Sequence, residues 1–184
     1  GSRMLKSRVC IVLLLLLSLT VGMAQVPTVE WDKYSLIIDG RRVMPVMGEV
    51  HYSRIPAEEW QAEVQKMRDG GVTILACYVF WNHIEETEGV FRWDGQRNLR
   101  RFLEVCAEAD MPVVLRVGPF CHGEVRNGGI PDWVFTKGCK TRREDPLFLH
   151  YTTILYRQIF TQAQGLQWKD GGPVIAMQFD NEHR

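Results

Sequence analysis

Hydrophobic and polar positions alternate along the chain in a pattern that predicts four buried strands separated by three helices. The strands are predicted over apolar runs at residues 45–50, 72–79, 112–117 and 173–179. Between these runs, apolar residues recur three or four positions apart, which is helical spacing. These helical stripes fall within residues 60–67, 99–107 and 149–160. Strands this apolar need cover on both faces, so the βαβαβαβ order predicts a parallel sheet in an α/β fold.

Local signals mark the ends of several of these elements. Asp39-Gly40 lies between two short apolar runs and predicts a hairpin ahead of the first buried strand. Gly70-Gly71 predicts the end of the first helix, and Asp94 is a candidate start of the second. Asp145-Pro146 supplies an N-cap acid and a proline at the first helical position, so a third helix is predicted to begin there.

Two architectures fit this order of elements: an open doubly wound sheet and part of a (β/α)8 barrel. A glycine-rich phosphate loop after the first strand would favour the first, and the sequence has none there. Polar and aromatic residues instead follow each predicted strand, which is where barrel enzymes build their active sites. They are Glu49, His51, Tyr78, Trp81, Asn82, His122, Glu124, Asn181 and Glu182. A complete barrel needs about 250 residues, so this chain of 184 is expected to supply strands 1–4 of one.

The first two dozen residues have the pattern of a secretory signal peptide. A basic stretch at residues 5–8 leads into an apolar run at 9–17, and small residues end it at 22–24. The expected division is a signal peptide over 1–24, of which 1–3 look like a cloning scar, and the N-terminal part of a catalytic barrel over 25–184. The apolar run is shorter than the roughly 20 residues of a spanning helix. We therefore expect no stable membrane insertion after cleavage and a secreted or periplasmic protein, with an uncleaved anchor as the alternative.

Composition and charge narrow the function further. The chain is 46% hydrophobic and 24% charged, with 22 basic and 22 acidic residues, so its net charge is zero. This balance lacks the basic surface of a nucleic-acid-binding protein, and no nucleic-acid partner is predicted. The acidic residues 85, 86 and 88 are interpreted as a solvated loop. Oligomeric state is left open.

Export would permit disulfides, and four cysteines follow the predicted signal peptide. Cys77 and Cys106 lie in apolar runs and are predicted to be buried thiols. Cys121 and Cys139 could bridge a loop. The cysteines and histidines lack the spacing of a zinc site, so no metal is predicted.

Paired acids with aromatic platforms at barrel strand ends suit glycoside hydrolysis, which needs two carboxylates flanking the scissile bond. Four stretches carry a more specific pattern. They are GEVHYSRIP at 48–56, YVFWN at 78–82, GPFCHGE through GGIPDW at 118–133, and GGPVI through NE at 171–182. Together and in this order, these stretches resemble glycoside hydrolase family 35, the β-galactosidases of a barrel clan in which Asn-Glu ends the fourth strand. The resemblance runs from about residue 39 to 184.

The resemblance implies a retaining exo-β-galactosidase that needs no cofactor and acts on β-galactosides in oligo- or polysaccharides. It makes Glu182 the general acid/base, while Asn181 would hold the sugar hydroxyl next to the reacting carbon. It places Tyr78, Gly123 and Glu124 in the pocket for the terminal galactose, with His122 beside them. The nucleophile of the family lies on the seventh strand, and no residue of this chain matches it.

The chain departs from the family pattern at several of these positions. His122-Gly123-Glu124 stands where the family usually has Cys-Ala-Glu, and Val117 stands where the family usually has the first Pro of Arg-Pro-Gly-Pro. Val125 replaces a common Trp, and His183 replaces a common Tyr. Because these positions lie in or beside the implied sugar pocket, a different glycone stays open. A non-catalytic sugar-binding or vestigial protein is the other alternative.

Structural roles compete with the catalytic ones. Glu182 could be a structural carboxylate paired with Arg116 or Arg184. Glu124 could be a loop acid satisfied by backbone donors or by Arg126. Tyr78 and Trp81 could pack at strand ends without touching a ligand.

Overall fold

The computed structural model of the chain describes residues 26–32, 35–141 and 144–179. The predicted signal peptide at 1–24 lies outside these ranges, and so do Asn181 and Glu182. Over the ranges described, no helix is both long enough and apolar enough to cross a membrane.

A small antiparallel sheet precedes the parallel one. Its strands are β1 (Val29–Trp31), β2 (Leu36–Ile38) and β3 (Arg41–Val43), paired in the order β1-β2-β3. The turn between β2 and β3 has positive φ at Asp39 (49°) and Gly40 (76°), as a two-residue hairpin requires. The Asp-Gly prediction is therefore confirmed. Strand β1 was not predicted, because only three residues pair and two of them are exposed.

The main sheet has four parallel strands. They are β4 (Met47–Val50), β5 (Ile74–Tyr78), β6 (Val113–Gly118) and β7 (Val174–Phe179). Their spatial order, β4-β5-β6-β7, is also their order along the chain. A doubly wound sheet reverses direction at a switch point, whereas a barrel adds each strand beside the previous one. The strand order therefore confirms the barrel prediction, and these are four of the eight strands of a (β/α)8 barrel.

Helices connect consecutive strands and cover the sheet. They are α1 (Trp60–Asp69), α2 (Trp81–Ile84), α3 (Leu99–Glu108), α4 (Asp132–Phe135) and α5 (Pro146–Ala163). Helix α1 packs against α3, and α3 packs against α5. Asp145 Oδ1 accepts hydrogen bonds from Leu147 N at 2.9 Å and Phe148 N at 3.1 Å, which confirms the predicted N-cap. Helix α3 begins after Asn98 rather than at Asp94, because Asn98 supplies the cap that accepts from Arg101 N at 3.0 Å.

The buried face of α5 differs from the predicted one. Its buried residues are Phe148, Thr152, Leu155, Ile159 and Ala163. Leu149 (54% exposed) and Phe160 (47% exposed) were assigned to the core stripe, and this was wrong. Helix α5 is apolar on more than one face, so helical spacing alone allows adjacent stripes. Phe160 instead lies beside Phe179 of β7, with ring centroids 6.3 Å apart.

The cysteines are thiols buried to different degrees. Cys77 and Cys106 are fully buried, as predicted. Burial raises the pKa of Cys106 to about 12. The bridge between Cys121 and Cys139 does not form. The Sγ of Cys121 lies 3.6 Å from the Val79 carbonyl oxygen, and the Sγ of Cys139 lies 3.6 Å from that of Val134.

Glu85 is buried, and its interpretation as a solvated loop residue was wrong. The residue is 3% exposed, and its carboxylate accepts hydrogen bonds from Trp81 Nε1 at 2.7 Å and Gly89 N at 2.9 Å. Its carbonyl oxygen accepts a third bond from Trp133 Nε1 at 3.0 Å. Burial raises the pKa of the Glu85 carboxyl, and the two donors oppose that rise. Glu85 thus ties the loop after β5 to α4.

Candidate active site

The carboxyl ends of β4, β5 and β6 bring four polar or aromatic side chains together. Glu49 and His51 lie at the end of β4, and Tyr78 ends β5. Arg116 of β6 pairs in register with Tyr78. We call Glu49, His51, Tyr78 and Arg116 the strand-end cluster. Parallel strands end at the same edge of a sheet, so residues far apart in sequence meet there.

His51 is held from both sides by hydrogen bonds. Its Nε2 lies 2.8 Å from Glu49 Oε1, and its Nδ1 lies 3.2 Å from Arg54 Nη1. A guanidinium can only donate, so Nδ1 accepts from Arg54 and the Nε2–H donates to the carboxylate. Arg54 also donates to the carbonyl oxygen of Glu124. The end of β4 is therefore tied to the loop that follows β6.

Arg116 joins the carboxylate of Glu49 to the aromatic ring of Tyr78. Its Nη1 lies 3.7 Å from Glu49 Oε2, and its Cζ lies 4.1 Å from the centroid of the Tyr78 ring. A guanidinium over a phenol ring at this distance makes a cation–π contact. Glu49 therefore contacts both His51 and Arg116.

Tyr78 is 3% exposed. Its hydroxyl is buried and makes no hydrogen bond of standard geometry within the described residues, although the His122 backbone lies close enough to lower its pKa. Burial raises the pKa of Tyr78, while the positive charge of Arg116 opposes the rise. Leaving a buried hydroxyl unpaired costs free energy, so this oxygen is suited to a partner that arrives from outside the described chain.

Gly123 allows the loop after β6 to close onto the strand-end cluster. A Cβ at Gly123 would lie 3.1 Å from His51 Cε1 and 3.2 Å from Phe80 Cζ, which is tighter than ordinary contact. Gly128, with φ of 62°, packs so closely on the Phe120 ring that a side chain there would overlap it. The loop is pinned by a hydrogen bond from Cys121 N to Gly128 O at 2.7 Å. Two glycines therefore bring positions 122–124 next to β4.

Comparison with known proteins shows the family of this chain. The family model described as "Glycosyl hydrolases family 35" matches residues 35–184. The chain belongs to glycosyl hydrolase family 35. It is 34% identical over 169 residues to "Beta-galactosidase 6" of Oryza sativa subsp. japonica, covering 90% of this chain and 20% of the relative. It is 33% identical over 177 residues to a "Beta-galactosidase" of Xanthomonas manihotis, covering 93% of this chain and 30% of that protein.

Solved structures share the barrel fold of this family 35 chain. An exo-β-1,4-mannosidase from Opitutaceae bacterium strain TAV5 superposes with a TM-score of 0.54 at 21% identity, over 78% of this chain and 25% of that one. A β-galactosidase from the psychrophilic Marinomonas ef1 gives a TM-score of 0.54 at 22% identity, over 76% of this chain and 22% of that one. The chain thus spans less than a third of each of these four proteins.

The structure brings together some of the predicted family 35 site residues. Tyr78 and Gly123 both lie against His51, with the rings of Tyr78 and His51 5.8 Å apart. His122 and Glu124 lie in the same loop, and both are exposed. The backbone of Glu124 takes part through its bond to Arg54. Asn181 and Glu182 lie outside the described residues, so their roles stay predictions.

Trp81 does not line the site. It is fully buried, its indole N–H bonds to Glu85, and its ring meets that of Trp133 edge to face at 5.9 Å. Its interpretation as packing at a strand end is confirmed. In the described ranges, no three His, Cys, Asp or Glu side chains are grouped to hold a metal ion.

Sequence reasoning missed Arg54 and Phe80 as neighbours of the site. Arg54 lies over the Phe80 ring, with Cζ 4.9 Å from its centroid, and Phe80 meets His51 edge to face at 5.0 Å. Both residues lie inside stretches that carry the family resemblance, which was the available signal. Arg116 offered a second signal, since it is a charged residue within an apolar strand.

Proposed function

We propose that the protein to which this chain belongs is a retaining exo-β-galactosidase that removes terminal β-linked galactose from oligo- or polysaccharides. Membership of family 35 carries the proposal, together with relatives named as β-galactosidases. The match extends through residue 184 and so includes the Asn-Glu pair. The substrate is a carbohydrate, and the reaction is hydrolysis of its glycosidic bond.

In this proposal Glu182 protonates the oxygen of the leaving group and then activates water. Asn181 holds the sugar hydroxyl beside the reacting carbon. A second carboxylate, from a part of the protein outside this chain and about 5 Å from the Glu182 carboxyl, attacks that carbon, displaces the protonated leaving group and forms the covalent intermediate. Retention follows because two successive displacements occur at one carbon.

The strand-end cluster and the loop after β6 support a sugar pocket. Galactose presents several hydroxyl groups, and the buried Tyr78 hydroxyl needs a partner of that kind. Gly123 lets the loop after β6 pack against His51, while His122 and Glu124 supply exposed polar groups in the same loop. We assign Tyr78, His122, Gly123 and Glu124 to galactose binding.

The test compares hydrolysis of an aryl β-galactoside with that of the matched aryl β-glucoside, using the protein carried to the natural end of its reading frame. We expect a clear preference for the galactoside and a β-configured first product. A preference for the glucoside would replace galactose with another glycone. Cleavage of neither by a folded protein would favour the non-catalytic alternative.

The substitution Tyr78→Phe is expected to separate binding from folding. Removing the hydroxyl should lower kcat/KM for the galactoside about tenfold, because one hydrogen bond to the sugar is lost. The free energy of unfolding should change little, since the buried hydroxyl makes no hydrogen bond of standard geometry within the described residues. Kinetic constants and thermal unfolding measure the two effects.

Tyr52→Phe is the matched control. The Tyr52 hydroxyl is also buried, but it donates to the Arg97 carbonyl oxygen at 2.9 Å. Its loss should cost about 1 kcal/mol of stability and leave kcat/KM unchanged. If Tyr78→Phe behaved like Tyr52→Phe, Tyr78 would have no place in the sugar pocket.

We also propose that the protein is exported, to the periplasm or outside the cell. Support comes from the basic, apolar and small-residue order of residues 5–24, which lie outside the described ranges. N-terminal sequencing of the exported protein would test the cleavage before Gln25.

A further inference from the structure

We propose that Glu49 is a positioning residue of the sugar pocket. Its two carboxylate oxygens hold His51 and Arg116 at the same time, and through them fix the Tyr78 ring and the loop at Gly123. The inference rests on the proposed function and names a residue that acts on the pocket without touching the reacting atoms. Its side chain is 46% exposed, so it has no role in the core that would explain these contacts.

The first step is the orientation of His51. Rotating an imidazole about its Cβ–Cγ bond exchanges nitrogen and carbon positions, so an unpaired ring has two alternatives. Here Glu49 accepts at 2.8 Å from one nitrogen, while Arg54 donates across 3.2 Å to the other. Arg54 cannot accept, so the pair selects one tautomer and one orientation.

The second step is the position of Arg116. Its guanidinium lies over the Tyr78 ring, 4.1 Å from the centroid. The Glu49 carboxylate is the ion partner that holds it there, at 3.7 Å. Without that anchor, the flexible Arg116 side chain keeps the ring contact alone. Held by that contact alone, the guanidinium could leave the Tyr78 ring more easily, which would loosen the position of the phenol.

The third step couples His51 to the loop after β6. His51 Cε1 occupies the space that a side chain at Gly123 would need, at 3.1 Å from its Cβ position. Gly123 therefore packs directly against the ring of His51. Glu49 therefore acts on Tyr78 through Arg116, and it acts on Gly123 through His51.

The kinetic experiment compares Glu49→Ala with Glu49→Gln in the protein carried to its natural C-terminus. The alanine variant loses both contacts and should show kcat/KM for an aryl β-galactoside about tenfold lower, whereas the glutamine variant keeps an acceptor for His51 and should lose about threefold. Thermal unfolding should stay within about 2 °C of wild type, because exposed ion pairs add little stability. Glu58, exposed in the turn before α1, gives the control variants Glu58→Ala and Glu58→Gln, with no expected effect.

A second readout does not depend on turnover. In protein labelled with ¹⁵N-histidine, the His51 signals, assigned by their loss in His51→Gln, should show a protonated Nε2 and an unprotonated Nδ1. In Glu49→Ala this tautomer preference should weaken, while in Glu49→Gln it should persist. Rescue by glutamine in both experiments is the result expected of a positioning role.

Two results would overturn the proposal. If the wild-type protein cleaves the galactoside but Glu49→Ala matches Glu58→Ala in kinetics and in the His51 signals, Glu49 positions nothing and the proposed function stands. If the wild type cleaves no β-galactoside, the proposed function fails and the positioning role fails with it, even where His51 keeps its tautomer.

Discussion

Replacing Glu182 with glutamine is expected to lower kcat/KM about 10²- to 10⁴-fold for galactosides whose leaving group needs a proton. Glutamine fills the same space but cannot donate that proton or activate water. With a dinitrophenyl leaving group, which departs without protonation, the first step should survive and the second should slow. A burst of phenolate followed by slow turnover would be the kinetic sign.

The variant Glu182→Ala sharpens this test. An anion such as azide attacks without giving up a proton, so it should restore turnover and yield a β-galactosyl azide. Asp170→Asn, in the exposed turn before β7, is the control and should show neither the loss nor the rescue. Full activity of Glu182→Gln on poor leaving groups would assign Glu182 the structural role instead.

The substitution Gly172→Ala is expected to cause the largest loss of stability, about 3 kcal/mol or more. Gly172 is buried just before β7, and a Cβ there would overlap the backbone carbonyl of Leu166. That carbonyl cannot move freely, because its oxygen accepts from Val174 N at 3.0 Å. The clash therefore falls on the start of the strand that leads to Glu182. Chemical or thermal unfolding of the protein would measure it.

Gly171→Ala is the neighbouring comparison. Gly171 has a φ of 84° and nothing within 4 Å of its Cβ position, so only backbone strain opposes alanine there. That strain costs about 1–2 kcal/mol. Equal losses of unfolding free energy in the two variants would show that the backbone at the start of β7 moves to make room. The overlap with Leu166 would then not decide the cost.

The sequence predicted those parts of the fold whose signals are local. The Asp39-Gly40 turn and the Asp145 cap each depend on residues that adjoin them, and both predictions are confirmed. The short helices α2 and α4 were not predicted, because four residues are too few to display helical spacing. The face of α5 could not be chosen from spacing, since Leu149 and Phe148 are equally apolar and only packing distinguishes them.

The candidate site was predictable in part of its membership but not in its arrangement. Strand-end position selected Glu49, His51 and Tyr78, because carboxyl ends of parallel strands converge. Their connections are long-range: Arg54 reaches a carbonyl oxygen 70 residues away. No periodicity reports such a contact. The roles of Asn181 and Glu182 came from the family resemblance and stay predictions.

The burial of the cysteines bears on where this protein can fold. The four cysteines after residue 25 are thiols in the structure, and Cys77 and Cys106 lie in the same hydrophobic core as Leu75 and Leu103. A thiol whose pKa is raised by burial is almost wholly protonated at neutral pH, and thiolate is the form that oxidants and alkylating reagents attack. The described residues are therefore folded without a disulfide bond among these cysteines. The described part of the chain should form equally well in a reducing cytosol, which makes cytosolic expression from residue 25 onward a practical source of it.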